Sequence, residues 1–127
     1  MKYQSSVLSV VVVVILLILS GCSSYRYEIV NNGLDALRVR TGYKKTMVLG
    51  QNSTLSLRTT SNVEIGNAAI RVGQRVKITN TGSDVIQIKY LDAEGSEQTL
   101  LLGENGIGYL SKATPFQIDD FNVRIYE

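Results

Sequence analysis

Apolar and polar side chains alternate along most of the chain beyond residue 24. Leu37-Arg38-Val39-Arg40, Val76-Lys77-Ile78 and Ile86-Gln87-Ile88-Lys89 each set apolar residues on one face and polar residues on the other, the period of two expected of half-buried antiparallel strands. Between such runs lie Asn31-Asn32-Gly33, Gly50-Gln51-Asn52, Gly66-Asn67, Gly73-Gln74, Thr81-Gly82, Glu94-Gly95 and Gly103-Glu104-Asn105-Gly106, which supply Gly or Asn where a turn needs positive φ. No long stretch repeats its apolar residues at helical spacing. The pattern predicts ten to twelve short strands and an all-β fold.

The two halves of this region follow one another's pattern. "YEIVNNGLDALRVRT" from Tyr27 aligns with "VKITNTGSDVIQIKY" from Val76, matching Ile, Asn, Gly and Asp. After four extra residues in the second half, "TMVLGQNSTLSL" from Thr46 aligns with "TLLLGENGIGYL" from Thr99. Val63-Glu64-Ile65 then falls on Phe116-Gln117-Ile118, and Ile70-Arg71-Val72 on Val123-Arg124-Ile125. We read two tandem pseudo-repeats, about 27–73 and 76–126, joined by a tight turn at Gly73-Gln74. Each is too small to fold securely alone without disulfides or metal, so both would share one core in a single β domain over 26–127, an antiparallel β-sandwich or barrel. The expected inward residues are Ile29, Leu37, Val39, Leu49, Leu57, Ile70 and Val72, with Ile78, Ile86, Ile88, Leu102, Leu110, Val123 and Ile125 opposite.

The first residues follow a different rule. Lys2 supplies a cationic start, and from Val7 to Leu19 only Ser9 interrupts an apolar run of 13 residues. A membrane-spanning helix needs about 20, whereas the core of a secretory signal has about 7 to 15. The run ends in Leu19-Ser20-Gly21-Cys22, an aliphatic residue, two small ones and a cysteine, which resembles the lipobox of bacterial lipoproteins. An uncleaved helical anchor and an ordinary secretory cleavage are the alternatives. The resemblance implies a signal peptide over 1–21, cleavage between Gly21 and Cys22, and a covalent lipid on Cys22, where two or three acyl chains hold stably and one would not. Ser23 in place of Asp implies release to the outer membrane, with the domain on its periplasmic face. Residues 22–25 would be a short tether, keeping the domain within about 10 Å of its lipid at about 3.5 Å per residue.

Composition then removes most chemistry. With no His, no Trp and a single Cys, the chain has no His-based catalytic triad, no His/Cys zinc site and no internal disulfide. The Gly103–Gly108 stretch lacks the lysine of a phosphate-binding loop and no helix pattern follows it. Asp92-Ala93-Glu94 and Asp119-Asp120 lack the regular acidic spacing of a calcium loop. An enzyme, a metal site and a nucleic-acid partner are therefore not expected, and no cofactor beyond the lipid on Cys22 is implied.

Charge divides the halves. Ser23 to Arg75 carries eight bases against three acids, a net charge of +5, and Val76 to Glu127 carries four against eight, a net −4. Such a dipole would let the basic half rest on anionic glycan or lipid headgroups, with Arg38, Arg40, Lys44, Lys45 and Arg58 as candidate contacts. It would also let opposite halves pair head to tail in a homo-oligomer. Tyr25 and Tyr27, on one strand face beside the lipid, suit either a headgroup boundary or packing, and the basic tip Tyr43–Thr46 suits a hairpin end. The leading expectation is a non-catalytic, membrane-anchored accessory or assembly factor that binds another envelope protein. An anionic glycan or headgroup-binding module and a phage- or plasmid-borne receptor-blocking lipoprotein are the alternatives.

Overall fold

Twelve short strands in the computed structural model account for the alternation, and their order follows the turn residues. Residues 24–42, 45–60, 62–112 and 114–127 are described. The first half contributes β1 (Tyr25–Asn31), β2 (Leu37–Thr41), β3 (Thr46–Leu49), β4 (Thr54–Thr59), β5 (Val63–Ile65) and β6 (Ala68–Val72). The second contributes β7 (Val76–Asn80), β8 (Ile86–Leu91), β9 (Glu97–Leu102), β10 (Ile107–Leu110), β11 (Phe116–Ile118) and β12 (Phe121–Tyr126). Tyr25, assigned to the tether on sequence grounds, is the first residue of β1, because its ring continues the inward series of Tyr27 and Ile29.

The strands form two six-stranded antiparallel sheets, ordered β4-β1-β12-β11-β8-β9 in sheet I and β10-β7-β6-β5-β2-β3 in sheet II. No ladder joins them, so the architecture is a β-sandwich and not a closed barrel. Adding six to each strand number of sheet I, and counting past twelve back to one, reproduces the order of sheet II. Each sheet takes two strands from one half of the chain and four from the other. All twelve strands run between the same two ends. The entry end holds Ser24, Lys45 and the turn at 73–75; the far end holds the loops at 32–36, 50–53, 66–67, 81–85, 103–106 and 119–120.

The core is one cluster built from both halves. Of the expected inward residues, Ile29, Val39, Leu49, Ile70, Ile78, Ile86, Ile88, Leu102, Leu110 and Val123 are buried, whereas Leu37, Leu57, Val72 and Ile125 are half-buried at strand ends or on the edge strand β4. The core also takes Tyr27, Val63, Ile65, Ala68, Val76, Phe116, Ile118 and Phe121. Volume is redistributed between aligned positions: Tyr27 stands opposite Val76 in the alignment, but Ala68 and Val63 correspond to Phe121 and Phe116. Small residues in one half are thus offset by large ones in the other, as close packing demands.

Two buried asparagines bracket the sheets together. Asn31, at the end of β1, donates from Nδ2 to the carbonyls of Asp35 and Leu49, both at 2.9 Å, and accepts from the Gly33 N–H at 3.0 Å. Asn80, at the end of β7, donates to the carbonyls of Asp84 at 2.7 Å and Leu102 at 2.8 Å and accepts from the Gly82 N–H at 3.0 Å. Leu49 and Leu102 each lie in the sheet opposite their asparagine. The far end repeats further details: Asn52 and Asn105 both have positive φ, 59° and 61°, a conformation that asparagine tolerates better than most residues. A Cβ on Gly33 would lie 2.9 Å from the Asp120 side chain, and one on Gly82 2.9 Å from that of Asn67.

Candidate functional site

The chain enters the sandwich beside a recess. At the entry end, edge strand β4 of sheet I faces the β2–β3 hairpin of sheet II. Between them a recess of about 450 Å³ is lined by Ser24, Thr41, Lys45, Met47, Leu57, Arg58, Thr59 and Thr60. Met47 and Leu57 are half-buried against the core and form its apolar part. The Arg58 guanidinium donates to the Ser24 hydroxyl at 3.1 Å, and no carboxylate lines the recess. Arg58 projects outward from β4 by strand alternation, and Lys45 sits in the hairpin turn, its carbonyl accepting from the Thr41 N–H at 3.2 Å.

The other candidate cations lie elsewhere. Arg38 and Arg40 share the outer face of sheet II, as their spacing on β2 requires. Arg40 is committed to Glu64 of β5 at 2.6 Å, with both side chains about half exposed. The five residues therefore do not form one patch: Lys45 and Arg58 line the same recess, and Arg38 and Arg40 occupy a different surface. Lys44 and Tyr43, like Gly21 and the lipobox cysteine Cys22, lie outside the described residues.

The halves sit side by side in the sandwich. With β4 against β3 and β9 against β10, one side of the sandwich is built from β1–β4 and the other from β7–β10, so the basic half and the acidic half flank one another across its width. Along the strands, the far end is acidic and the entry end is mixed, since Asp92 and Glu94 of the β8–β9 turn lie there with Lys45, Arg75 and Lys112. The far-end loops carry Asp35, Asp84, Glu104, Asp119 and Asp120 with no Lys or Arg among them. At the entry end Arg26 lies over the Tyr126 ring at 4.3 Å, with Arg124 5.0 Å from the same ring, and Lys112 reaches Glu127 at 3.3 Å.

The edges of the sandwich are unlike. Along one side run β9 and β10, where Leu101, Ile107 and Tyr109 are 63%, 48% and 53% exposed; Val85, beside β9, is 59% exposed. The aligned positions on the opposite side, along β3 and β4, are Val48, Thr54, Ser56 and Ala36. The frame therefore accepts Thr and Ser where the β9–β10 side carries Ile and Tyr. Each side has one six-residue and one four-residue edge strand, β9 and β10 against β4 and β3; of the two longer ones β4 carries Arg58, whereas β9 has no Lys, Arg or Pro and only Glu97 as a charge. Its outer backbone N–H and C=O groups have no ladder partner. Natural edges are usually shortened, charged or covered to prevent pairing.

Sequence reading overlooked this edge and the apolar part of the recess. The available signal was a position-by-position comparison of the halves, in which Thr54 and Ser56 stand against Ile107 and Tyr109. Tyr27, considered there for a headgroup boundary, is 1% exposed, so its ring belongs to the core. The acidic turns have protein partners: Asp92 accepts from the Glu94 and Ser96 N–H groups at 3.0 and 2.9 Å and from Gln98 Nε2 at 2.9 Å, and Asp119 accepts from the Gln87 N–H of β8 at 3.0 Å. The bonds to Asp92, led by that from Ser96, hold its carboxyl below the usual range. Among the described residues no group of three or more carboxylate or thiol side chains is placed to hold a metal, and no helix is long and apolar enough to cross a membrane. A separate recess of about 410 Å³ on the outer face of sheet I mixes Glu28, Glu97, Lys89 and Arg124 and opens widely to solvent. Comparison with protein-family models, with curated proteins and with solved structures found no match to the chain.

Proposed function

We propose that the protein is a non-catalytic docking module of the cell envelope, anchored by lipid at Cys22 and pairing with another envelope protein through the β9–β10 side of its sandwich. The observation that carries this reading is the contrast between equivalent edges. Leu101 on the outer face of sheet I and Ile107 and Tyr109 on the outer face of sheet II flank the unpaired edges β9 and β10, where the opposite side has one exposed apolar residue, Val48, with Thr54 and Ser56. Apolar side chains beside free backbone donors and acceptors suit addition of a partner's strand: the main chain supplies affinity and the flanking side chains supply selection. The lipobox resemblance supports an outer-membrane address, and a tether ending at Ser24 leaves both sides of the sandwich accessible to neighbours on the same surface.

The test is crosslinking of intact envelopes followed by mass spectrometry, with Cys22→Ala as the anchoring control. Leu101→Lys would place a charge at the docking edge and weaken partner recovery by about thirtyfold, the effect of losing about 2 kcal/mol at a central contact. Val48→Lys, at the aligned position on the other side, would leave recovery unchanged. Since both positions are largely exposed, stability would change by less than about 0.5 kcal/mol. Equal recovery with both variants, or crosslinks to lipid alone, would remove the docking assignment. A Cys22→Ala chain that still fractionates with the outer membrane would remove the anchor.

A further inference from the structure

The recess at the entry end combines three properties that the docking edge does not explain. It is rimmed by two cations with no carboxylate among its lining residues, it has an apolar part, and Ser24 places it two residues from the lipidation position. Its volume of about 450 Å³ lies within the range of small-ligand sites, about 300–1,000 Å³. The alignment of the halves again supplies an internal control. Lys45 and Arg58 correspond to Gln98 and Ser111, while the apolar pair Met47 and Leu57 corresponds to Leu100 and Leu110. The apolar residues are thus common to both sides of the frame, as packing requires, but cations at these two positions occur only on the β3–β4 side; on the β10 side Arg71, Arg75 and Lys77 instead gather around Tyr109 on the outer face of sheet II, with Arg75 5.1 Å from its ring.

We infer that this recess seats the phosphate of an anionic membrane phospholipid, one whose headgroup brings no ammonium of its own to compete for that phosphate. Arg58 and Lys45 receive the phosphate oxygens, and Met47 and Leu57 lie against the glycerol and the first acyl methylenes. A guanidinium presents a planar fork of donors matched to phosphate geometry, and an ammonium adds a movable point charge. The Arg58 hydrogen bond to Ser24 couples this contact to the segment leading to the anchor. The inference rests on the anchored reading above, because the tether is what would hold the recess at headgroup level.

The experiment uses the full wild-type chain in vesicles of phosphatidylcholine alone or phosphatidylcholine with phosphatidylglycerol. An amine-reactive reagent labels accessible lysines, and Lys45 labelling is read by mass spectrometry relative to the exposed Lys89 on the outer face of sheet I. Anionic vesicles should protect Lys45 by about fivefold, the weight of one cation at such a surface. Arg58→Gln should abolish that protection, and Arg38→Gln, on the outer face of sheet II, should leave it intact. Equal labelling in both vesicle types, or protection indifferent to Arg58→Gln, overturns the site. Equivalent protection by inorganic phosphate with neutral vesicles overturns the lipid assignment in favour of a free-ion site. The same digest weighs the Cys22 peptide. An absent acyl mass sinks the anchored reading on which the inference rests, whereas acylation without protection sinks the recess alone.

Discussion

Tyr27 carries a polar group into the core at 1% exposure. Burial pushes its hydroxyl from 10.0 up to about 12, with the neighbouring Tyr25 adding to the effect, since a phenolate there would lose its hydration. The unfolded chain releases this proton near pH 10, whereas the folded one keeps it until about pH 12. The native state therefore binds more protons across that window, and stability falls as pH rises through it. Unfolding by denaturant at stepped pH should show a loss of about 1.4 kcal/mol per unit between those values, and Tyr27→Phe should flatten that segment. A wild-type profile already flat there would contradict the burial of this hydroxyl. The alternation of Tyr25 and Tyr27 was legible in the sequence as a shared face. Which face turned inward was not, because an aromatic ring with a polar tip suits both a core and a wet boundary.

Strand existence was legible, and strand partnership was not. Alternation and turn residues mark ten to twelve runs, but β1 pairs with β12, close to 100 residues away along the chain, and nothing within either run specifies that neighbour. The three-residue strands β5 and β11 are too short for alternation to choose a face, so Val63, Ile65, Phe116 and Ile118 entered the core without having been selected for it. The far-end asparagines were legible as turn residues at matching positions, but their burial follows only from the closing of the two sheets. Asn80 is fully buried, and its amide holds the ends of β8 and β9 to β7 through three hydrogen bonds. Asn80→Ala would strand the carbonyl of Leu102 and the amide of Gly82, at about 1–3 kcal/mol for each buried group left unpaired. Denaturant melts should place Asn80→Ala well below wild type. Asn105→Gly, at a positive-φ turn position, should stay within about 0.5 kcal/mol. Parity between the two would mean that the bracket contributes nothing to holding the sheets.

Because each sheet is composed of strands from both halves, neither half owns a core. Residues 24–74 expressed alone should lack strand structure by circular dichroism, as should 75–127, and mixing them should restore it. The opposite net charges of the halves would speed that encounter at low salt. A half that folded alone would refute the shared core. The charge separation read from the sequence persists across the width of the sandwich, between the β1–β4 side and the β7–β10 side, and the far end adds five acids with no base among them. β1 is seven residues long, so at about 3.3 Å per residue the far-end carboxylates stand roughly 20 Å beyond the entry end. Electrostatic fields decay over about 8 Å at physiological ionic strength. On an anionic surface that holds the entry end, an upright sandwich keeps its five far-end acids outside the surface field. One that leans over carries them into it and is pushed back. The strands would then act as a lever arm with a righting torque, weakened by Asp92, Glu94 and Glu127 at the entry end itself and slackening further as salt is raised.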